Sequence, residues 1–457
     1  MYSSEEIPPT WLKISLGDVV NYGWALKSEP TEIADDTWVL ELEDIEKNSS
    51  RVLQKVRFSE RQSKSTKNKF EAGDVLYGKL RPYLNKVVYA DEAGVCTTEI
   101  VPIKGNQAIN SKYLFYWLKH PVFINYVTEV SHGVNMPRLG TDAGKQAPLV
   151  LAPLGEQRRI ADKLDTTLAR VDTLNDRLAR ITPLLKRFRQ SVLAAATSGR
   201  LTKDWRLLSS VSSELSSGWS IAKLGNAAFN KDSLRIPISE ALRNERRGDY
   251  PYYGASGVID RINGYTHDGE FLLIGEDGAN LLARSKPIAF RASGKIWVNN
   301  HAHVLTSDCK NRLNYLSYAI NSLDLTPWIT GSAQPKLTRK ALDSIPINLP
   351  PDDEQAEIVR RVEILLAFAD RLEARLQSAQ TAAEHLTPAL LAKAFRGELV
   401  PQDPNDEPAA ELLRRLRAAR VAQTPPKPKR GRKAAATESA LQNSKTRTSI
   451  GFALFPS

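Results

Sequence analysis

The sequence predicts an α+β protein: two mixed α/β modules in tandem, separated by two long helices packed as an antiparallel coiled coil with pseudo-two-fold symmetry. Three observations predict it. The chain repeats itself at a single offset, each repeat closes with a long glycine-free stretch of helical periodicity, and the stretches in between alternate short strand-like runs with turns.

The internal repeat sets the architecture. Shifted by 198 residues, Gly133 falls on Gly331, Pro137 on Pro335, Leu139 on Leu337, Pro153 on Pro351, Glu156-Gln157 on Glu354-Gln355, Asp172 on Asp370 and Gly199 on Gly397. Upstream the offset drifts. Trp11 answers to Trp219, and Tyr113 and Tyr116 answer to Tyr315 and Tyr318, as expected when insertions fall in surface loops. The globular portions have diverged, while the helical stretches after them have stayed alike.

Residues 156–197 place Ile160, Leu164, Leu168, Val171, Leu174, Leu178, Ile181, Leu185, Phe188 and Val192 at steps of three and four, a coiled-coil seam. The counterpart runs through Ile358, Val362, Leu365, Ala369, Leu372, Leu376, Ala383, Leu386 and Leu390. Thr182-Pro183 and Thr387-Pro388 predict a kink or a helix restart, and Gly199 and Gly397 stand where C-terminal caps belong. In the globular portions, 74–77, 86–90, 271–274 and 296–298 read as strands, and 113–118 and 314–321 as short helices. This gives a first module over 1–155, a helix over 156–205, a second module over 206–353, a helix with a short follower over 354–421, and a basic tail of disordered composition over 422–457. The segment 199–204 joins the first helix to the second module, so its length is expected to help place that module.

The net charge is +11 and the pI about 9.4, which favours a polyanionic partner. Part of that excess lies in 425–433 (PPKPKRGRK), and the rest of the chain stays positive without it. The cysteines are Cys96 and Cys309, with no CxxC, which fits a reducing compartment and no structural zinc. The first residues are polar and acidic, unlike a signal or transit peptide, and no apolar run is long enough to span a membrane, so a cytoplasmic protein is expected.

Catalytic signatures are missing. There is no GxxxxGK[ST] loop for ATP, no NPPY or DPPY tetrapeptide for adenine methylation and no S-adenosylmethionine loop. Glu276-Asp277 with His301 and His303 could hold a divalent ion as a metal-dependent nuclease would. The plainer reading is a glycine-bounded acidic turn beside two polar strand residues, and no metal site is assigned. A coiled-coil scaffold without a DNA role is the third class of function.

DNA contacts are expected at three places. Tyr77, Lys79, Arg81 and Tyr83, in 73–83, combine basic and aromatic side chains suited to the phosphate backbone. Arg57, Arg61, Lys64, Lys67 and Lys69 read as a basic loop in the first module, and Arg243, Arg246, Arg247, Tyr252 and Tyr253 as candidates in the second. The helix entries at Glu156, Gln157, Glu354 and Gln355 repeat in register and are expected to offer two equivalent docking surfaces.

GDVLYGKLRPYLNKV (73–87), YPYYGASG (250–257), the proline-then-Glu-Gln helix entries, GRLTKDWR (199–206) and FRGELVPQDPNDEPAAELL (395–413) are spread along the chain, the helix entries once per repeat. Over the chain up to about Arg420, this resembles the specificity subunit of type I restriction-modification enzymes. The resemblance implies two target recognition domains that bind double-stranded DNA at a bipartite site. It also implies two helical regions that dock two methyltransferase subunits, and restriction subunits that complete the complex. It implies no cofactor on this chain; S-adenosylmethionine, ATP and magnesium would sit on the partner subunits.

Overall fold

The computed structural model describes residues 7–133, 135–208, 218–309, 311–331 and 333–423. The basic tail lies, from 424 on, outside the described residues. The chain divides into two compact units. One holds the residues up to Ala161 with those from Lys393 on, and the other spans Asp162–Ala392.

In the first unit, the entering strand Leu12–Ser15 pairs antiparallel with the exit strand Pro148–Leu151. Between them, Val75–Gly78 is the centre of a three-stranded sheet, flanked by Val87–Tyr89 and Ile100–Ile103. All four residues of this central strand are buried, so it lacks the alternation of a half-exposed strand. A five-stranded sheet carries the rest, in the order Lys27–Ser28, Lys67–Phe70, Gly94–Cys96, Trp38–Leu40 and Val56–Arg57. Its core includes an edge-on contact between Trp38 and Phe70, with centroids 5.2 Å apart. The helix Ser111–Trp117 starts on Asn110, whose side chain accepts from the Tyr113 N–H at 3.0 Å. Its Tyr113 and Trp117 rings pack on Phe395, the last residue of the second long helix.

The second unit repeats this frame with different additions. The entering strand Ser220–Lys223 pairs antiparallel with Pro346–Leu349. His267–Gly275 lies between Ala289–Val298 and Ala302–Thr306, as Val75–Gly78 lies between its own neighbours. Here the sheet grows to six strands by the hairpin Arg247–Gly254 with Gly257–Ile262 on one side and Phe229–Asn230 on the other. The helix Arg312–Ser322 buries Leu313, Tyr315, Leu316 and Ile320 against Leu272 and Ile274.

The long helices run Leu154–Thr197 and Asp352–Phe395, 44 residues each. The restart expected at the prolines does not occur, because both helices are continuous through Pro183 and Pro388. Both prolines are exposed, so the carbonyls they leave without an N–H partner can be hydrated. Within the second unit the helices meet in opposite directions. Arg189 reaches Asp370 at 2.6 Å and Glu373 at 2.8 Å, while farther along the chain Asp204 meets Arg361, earlier in the partner helix, at 2.6 Å. Leu178 and Leu185 pack with Leu376 and Ala383, the alanine allowing close approach. Leu174 and Leu386, expected in the seam, are 40% and 39% exposed and face solvent. The second long helix ends in a six-to-one turn, the Glu398 N–H donating to the Lys393 carbonyl at 3.0 Å, with Gly397 at a φ of 78°. A short helix, Ala409–Gln423, comes next, and its Arg420 donates to the backbone carbonyls of Gly17 and Asp18. No helix among the described residues is long and apolar enough to cross a membrane.

Candidate nucleic-acid interface

Each module is joined to its helix by a buried carboxylate and a buried amide. Glu156 accepts from the indole N–H of Trp11 at 2.8 Å and from the side-chain amide of Gln402. Gln157 next to it accepts from the Asn110 N–H at 2.8 Å and donates to the carbonyls of Ala108 and Ala152. In the second unit, Glu354 accepts from the indole of Trp219 at 2.8 Å, from the Thr202 hydroxyl at 2.6 Å and from the Arg206 guanidinium. Gln355 accepts from Arg312 at 2.9 Å and donates to the Pro350 carbonyl at 2.7 Å.

These four side chains are 2% exposed or less. They are therefore not themselves a docking surface, which corrects the expectation: their polar atoms turn inward and hold each helix entry to its module. The segment 199–204 is likewise no simple spacer. It buries Thr202 completely, and Arg206 just beyond it is 4% exposed against Glu354. The two junctions differ electrostatically. Glu354 faces a buried cation, whereas both direct side-chain donors to Glu156 are neutral, and burial raises its pKa.

The basic stretch of the first module is not a loop. Arg57 ends the strand Val56–Arg57, Arg61 ends the helical turn Phe58–Arg61, and Lys67 and Lys69 lie in Lys67–Phe70. Lys67 is 2% exposed and pairs with Glu41 at 3.0 Å, so it is unavailable to DNA. Arg61 is drawn to Asp44 at 2.7 Å, and Arg57 pairs with Glu92 at 2.9 Å. Lys64 and Lys69 are both exposed. The acidic run 41–46 (ELEDIE) was the available signal that part of this positive charge is neutralised internally.

Tyr77 is also corrected. It is 1% exposed, packs edge-on against Phe123 at 5.6 Å, and burial drives its pKa well above the ordinary tyrosine value. Its hydroxyl has no hydrogen-bond partner among the described residues. Tyr77→Phe is therefore expected to leave DNA affinity unchanged and to raise stability by about 1 kcal/mol, because a buried unsatisfied polar group is removed. Thermal melts and duplex titrations of the variant check both halves of this prediction. Lys79 and Arg81 are half-buried, and Tyr83 is 46% exposed.

In the second module Tyr252 is a core residue, 1% exposed, packed with Ile262 and Trp297, its hydroxyl bound to the backbone of Ile238. Tyr253 is half-buried and stacks on Phe290. Arg243 lies over the Tyr252 ring and pairs with Asp260 at 3.0 Å. Arg246 is exposed and lies over the Trp297 ring at 5.3 Å, and Arg247 is exposed. These two arginines are the outward-facing candidates of that group.

The acidic-histidine cluster is a network of ion pairs and hydrogen bonds. Glu276 pairs with Arg235 at 2.6 Å and Lys336 at 3.2 Å, while Asp277 is hydrogen-bonded to His301 at 2.8 Å and Asp232 to the buried His303 at 2.6 Å. Among the described residues, no group of three or more such side chains has the geometry to hold a metal ion.

The family model for the type I restriction modification DNA specificity domain matches residues 8–183 and again 216–379, one match per module with most of its helix. The specificity subunit of the type I restriction enzyme EcoKI from Escherichia coli strain K12 is 30% identical over 356 residues, which are 70% of this chain and 74% of that subunit. Two solved structures share the fold. One is a chain from a study of complex assembly and conformational transition of the type I R-M system, 20% identical with a TM-score of 0.63, covering 86% of this chain and 99% of that one. The other is the HsdS subunit from Thermoanaerobacter tengcongensis, 19% identical with a TM-score of 0.57, covering 87% and 99%. The duplicated module-and-helix plan, matched twice along one chain, has the same meaning in sequence and in fold: this chain belongs to the family of type I restriction-modification specificity subunits.

Proposed function

We propose that each module binds one half of an asymmetric bipartite target in double-stranded DNA, while the long helices set the spacing of the halves and dock two methyltransferase subunits. The chain is non-catalytic by itself. S-adenosylmethionine binding belongs to the methyltransferase partners, and ATP and magnesium to the complex completed by restriction subunits. The observation that carries this reading is the contrast between what is repeated and what is not. The helix entries recur in register with equivalent Trp-to-Glu hydrogen bonds, whereas the sheets hung on the shared frame differ in strand number and charge. Equivalent supports suit two copies of one partner; unlike modules suit two different DNA sequences.

Because Glu156, Gln157, Glu354 and Gln355 are internal, the docking surface is the outward face of each helix entry, held in shape by them. Native mass spectrometry of the chain with saturating methyltransferase subunit is expected to give one specificity subunit with two methyltransferases. A complex that stops at one-to-one contradicts the proposal.

A further inference from the structure

The modules share a hydrogen-bonded frame, of which the 198-residue repeat marks only one side. In the first, the strand ending at Gly78 runs on through Lys79-Leu80-Arg81. The Lys79 N–H donates to the Glu99 carbonyl at 2.9 Å, the Arg81 N–H to the Pro137 carbonyl at 2.7 Å, and the Leu139 N–H to the Lys79 carbonyl at 3.0 Å. In the second, the strand ending at Gly275 runs on through Glu276-Asp277-Gly278. The Glu276 N–H donates to the His301 carbonyl at 2.9 Å, the Gly278 N–H to the Pro335 carbonyl at 3.0 Å, and the Leu337 N–H to the Glu276 carbonyl at 2.7 Å. Arg81 and Gly278 match even in their left-handed backbone, with φ of 51° and 100°. Each frame is closed by an antiparallel bridge, His132 with Arg138 and Thr330 with Lys336.

Side chains on this common backbone sort by charge. Lys79 and Arg81 are basic where Glu276 is acidic and Gly278 has no side chain, so those positions cannot make a contact common to both modules. Arg138 and Lys336 are equivalent, basic and half-exposed, at 52% and 50%. Each is steadied by one carboxylate of its own frame, Arg138 through its Nε to Glu99 at 3.1 Å and Lys336 to Glu276 at 3.2 Å. Among the described residues, the terminal nitrogens of Arg138 have no other hydrogen-bond acceptor, and Lys336 retains donors beyond the one Glu276 takes. A cation held extended by a carboxylate loses less freedom when it meets a further anion.

We propose that Arg138 and Lys336 are equivalent, sequence-independent phosphate contacts, one in each module. The chemistry common to any two DNA half-sites is the phosphate backbone, and the side-chain charge common to these two frames is this one. The inference rests on the proposed DNA-binding role and assigns it residues.

The test uses the full chain and a random-sequence duplex of about 40 bp, with affinity followed by fluorescence anisotropy between about 50 and 200 mM salt. One lost phosphate contact makes the slope of log K against log salt shallower by about 0.9. Arg138→Gln and Lys336→Gln are each expected to show that change, and the double variant about 1.8. The charge-preserving Arg138→Lys and Lys336→Arg are expected to keep the wild-type slope. Glutamine variants that retain the wild-type circular dichroism and melting curve, and also keep its slope, overturn the assignment while leaving DNA binding intact. A wild-type chain whose binding to duplex has no salt dependence overturns the DNA-binding reading as well.

Discussion

Glu354→Gln is expected to lower the melting temperature of the second unit by roughly 10 °C, and Glu156→Gln to do much less in the first. The two glutamates occupy equivalent places, each beside a tryptophan indole, and they differ in what else faces them. Glu354 is the counter-charge of Arg206, a guanidinium only 4% exposed. Neutralising Glu354 leaves that cation buried, a loss of about 3–5 kcal/mol. At roughly 2–4 °C per kcal/mol for a unit of this size, the shift is well outside measurement error. Glu156 receives its direct hydrogen bonds from Trp11 and Gln402, both neutral, so the same substitution strands no charge and costs about 1–3 kcal/mol for a rearranged hydrogen bond.

The pH dependence separates the two as well. The folded-state pKa of Glu156 is raised, chiefly by burial, so its contribution is full below the unfolded-state pKa and is lost as pH rises through the folded value. Glu156→Gln removes that slope. Adding Arg206→Met to Glu354→Gln removes the stranded cation and is expected to recover part of the loss. Calorimetry showing equal, small shifts for the two single variants, or no recovery in the double, sinks this account.

The repeated part of the chain was readable because one offset aligned it without gaps, and a seam stepping by three and four residues admits few structures other than a long helix pair. Prolines at 183 and 388 argued for interruption, yet both fall on solvent-facing positions where a helix tolerates the missing N–H. Short strands at 74–77 and 271–274 were legible from their apolar runs. The interface was less so, for a physical reason. Side-chain charge is local in sequence, but its neutralisation is not: Lys67 meets Glu41 and Arg57 meets Glu92, 26 and 35 residues away. Tyr77 looked like part of a polar motif, yet its strand is buried throughout. The equivalence of Lys79-Leu80-Arg81 with Glu276-Asp277-Gly278 left no trace in residue type, since backbone hydrogen bonds constrain conformation rather than side-chain charge.

Exchanging one module for that of another specificity subunit is expected to change one half of the methylated sequence and leave the other half intact. The cut points are set by the junctions. A block that begins at the entering strand and ends with the exit strand carries both members of the antiparallel pair, Leu12–Ser15 with Pro148–Leu151 in the first module and Ser220–Lys223 with Pro346–Leu349 in the second. The block should begin just before the strand, so that Trp11 or Trp219 travels with it and meets a glutamate left behind on the helix. Tyr113 and Tyr315 travel too, their hydroxyls donating to the carbonyls of Val150 and Asn348 within the same block. Cutting inside the pair would instead separate strand partners, giving an unfolded chimera rather than an informative one. Specific sites are typically bound about 10³–10⁷-fold more tightly than random DNA, so a changed half-site is a near-complete switch in which sequence is modified. Mapping methylated positions genome-wide in cells that carry the chimera and its methyltransferase partners gives both halves and their spacing at once. One new half, one old half and an unchanged spacer are expected. Alteration of both halves would mean that the modules do not read DNA independently, and a changed spacer would mean that the module, rather than the helices, measures the distance.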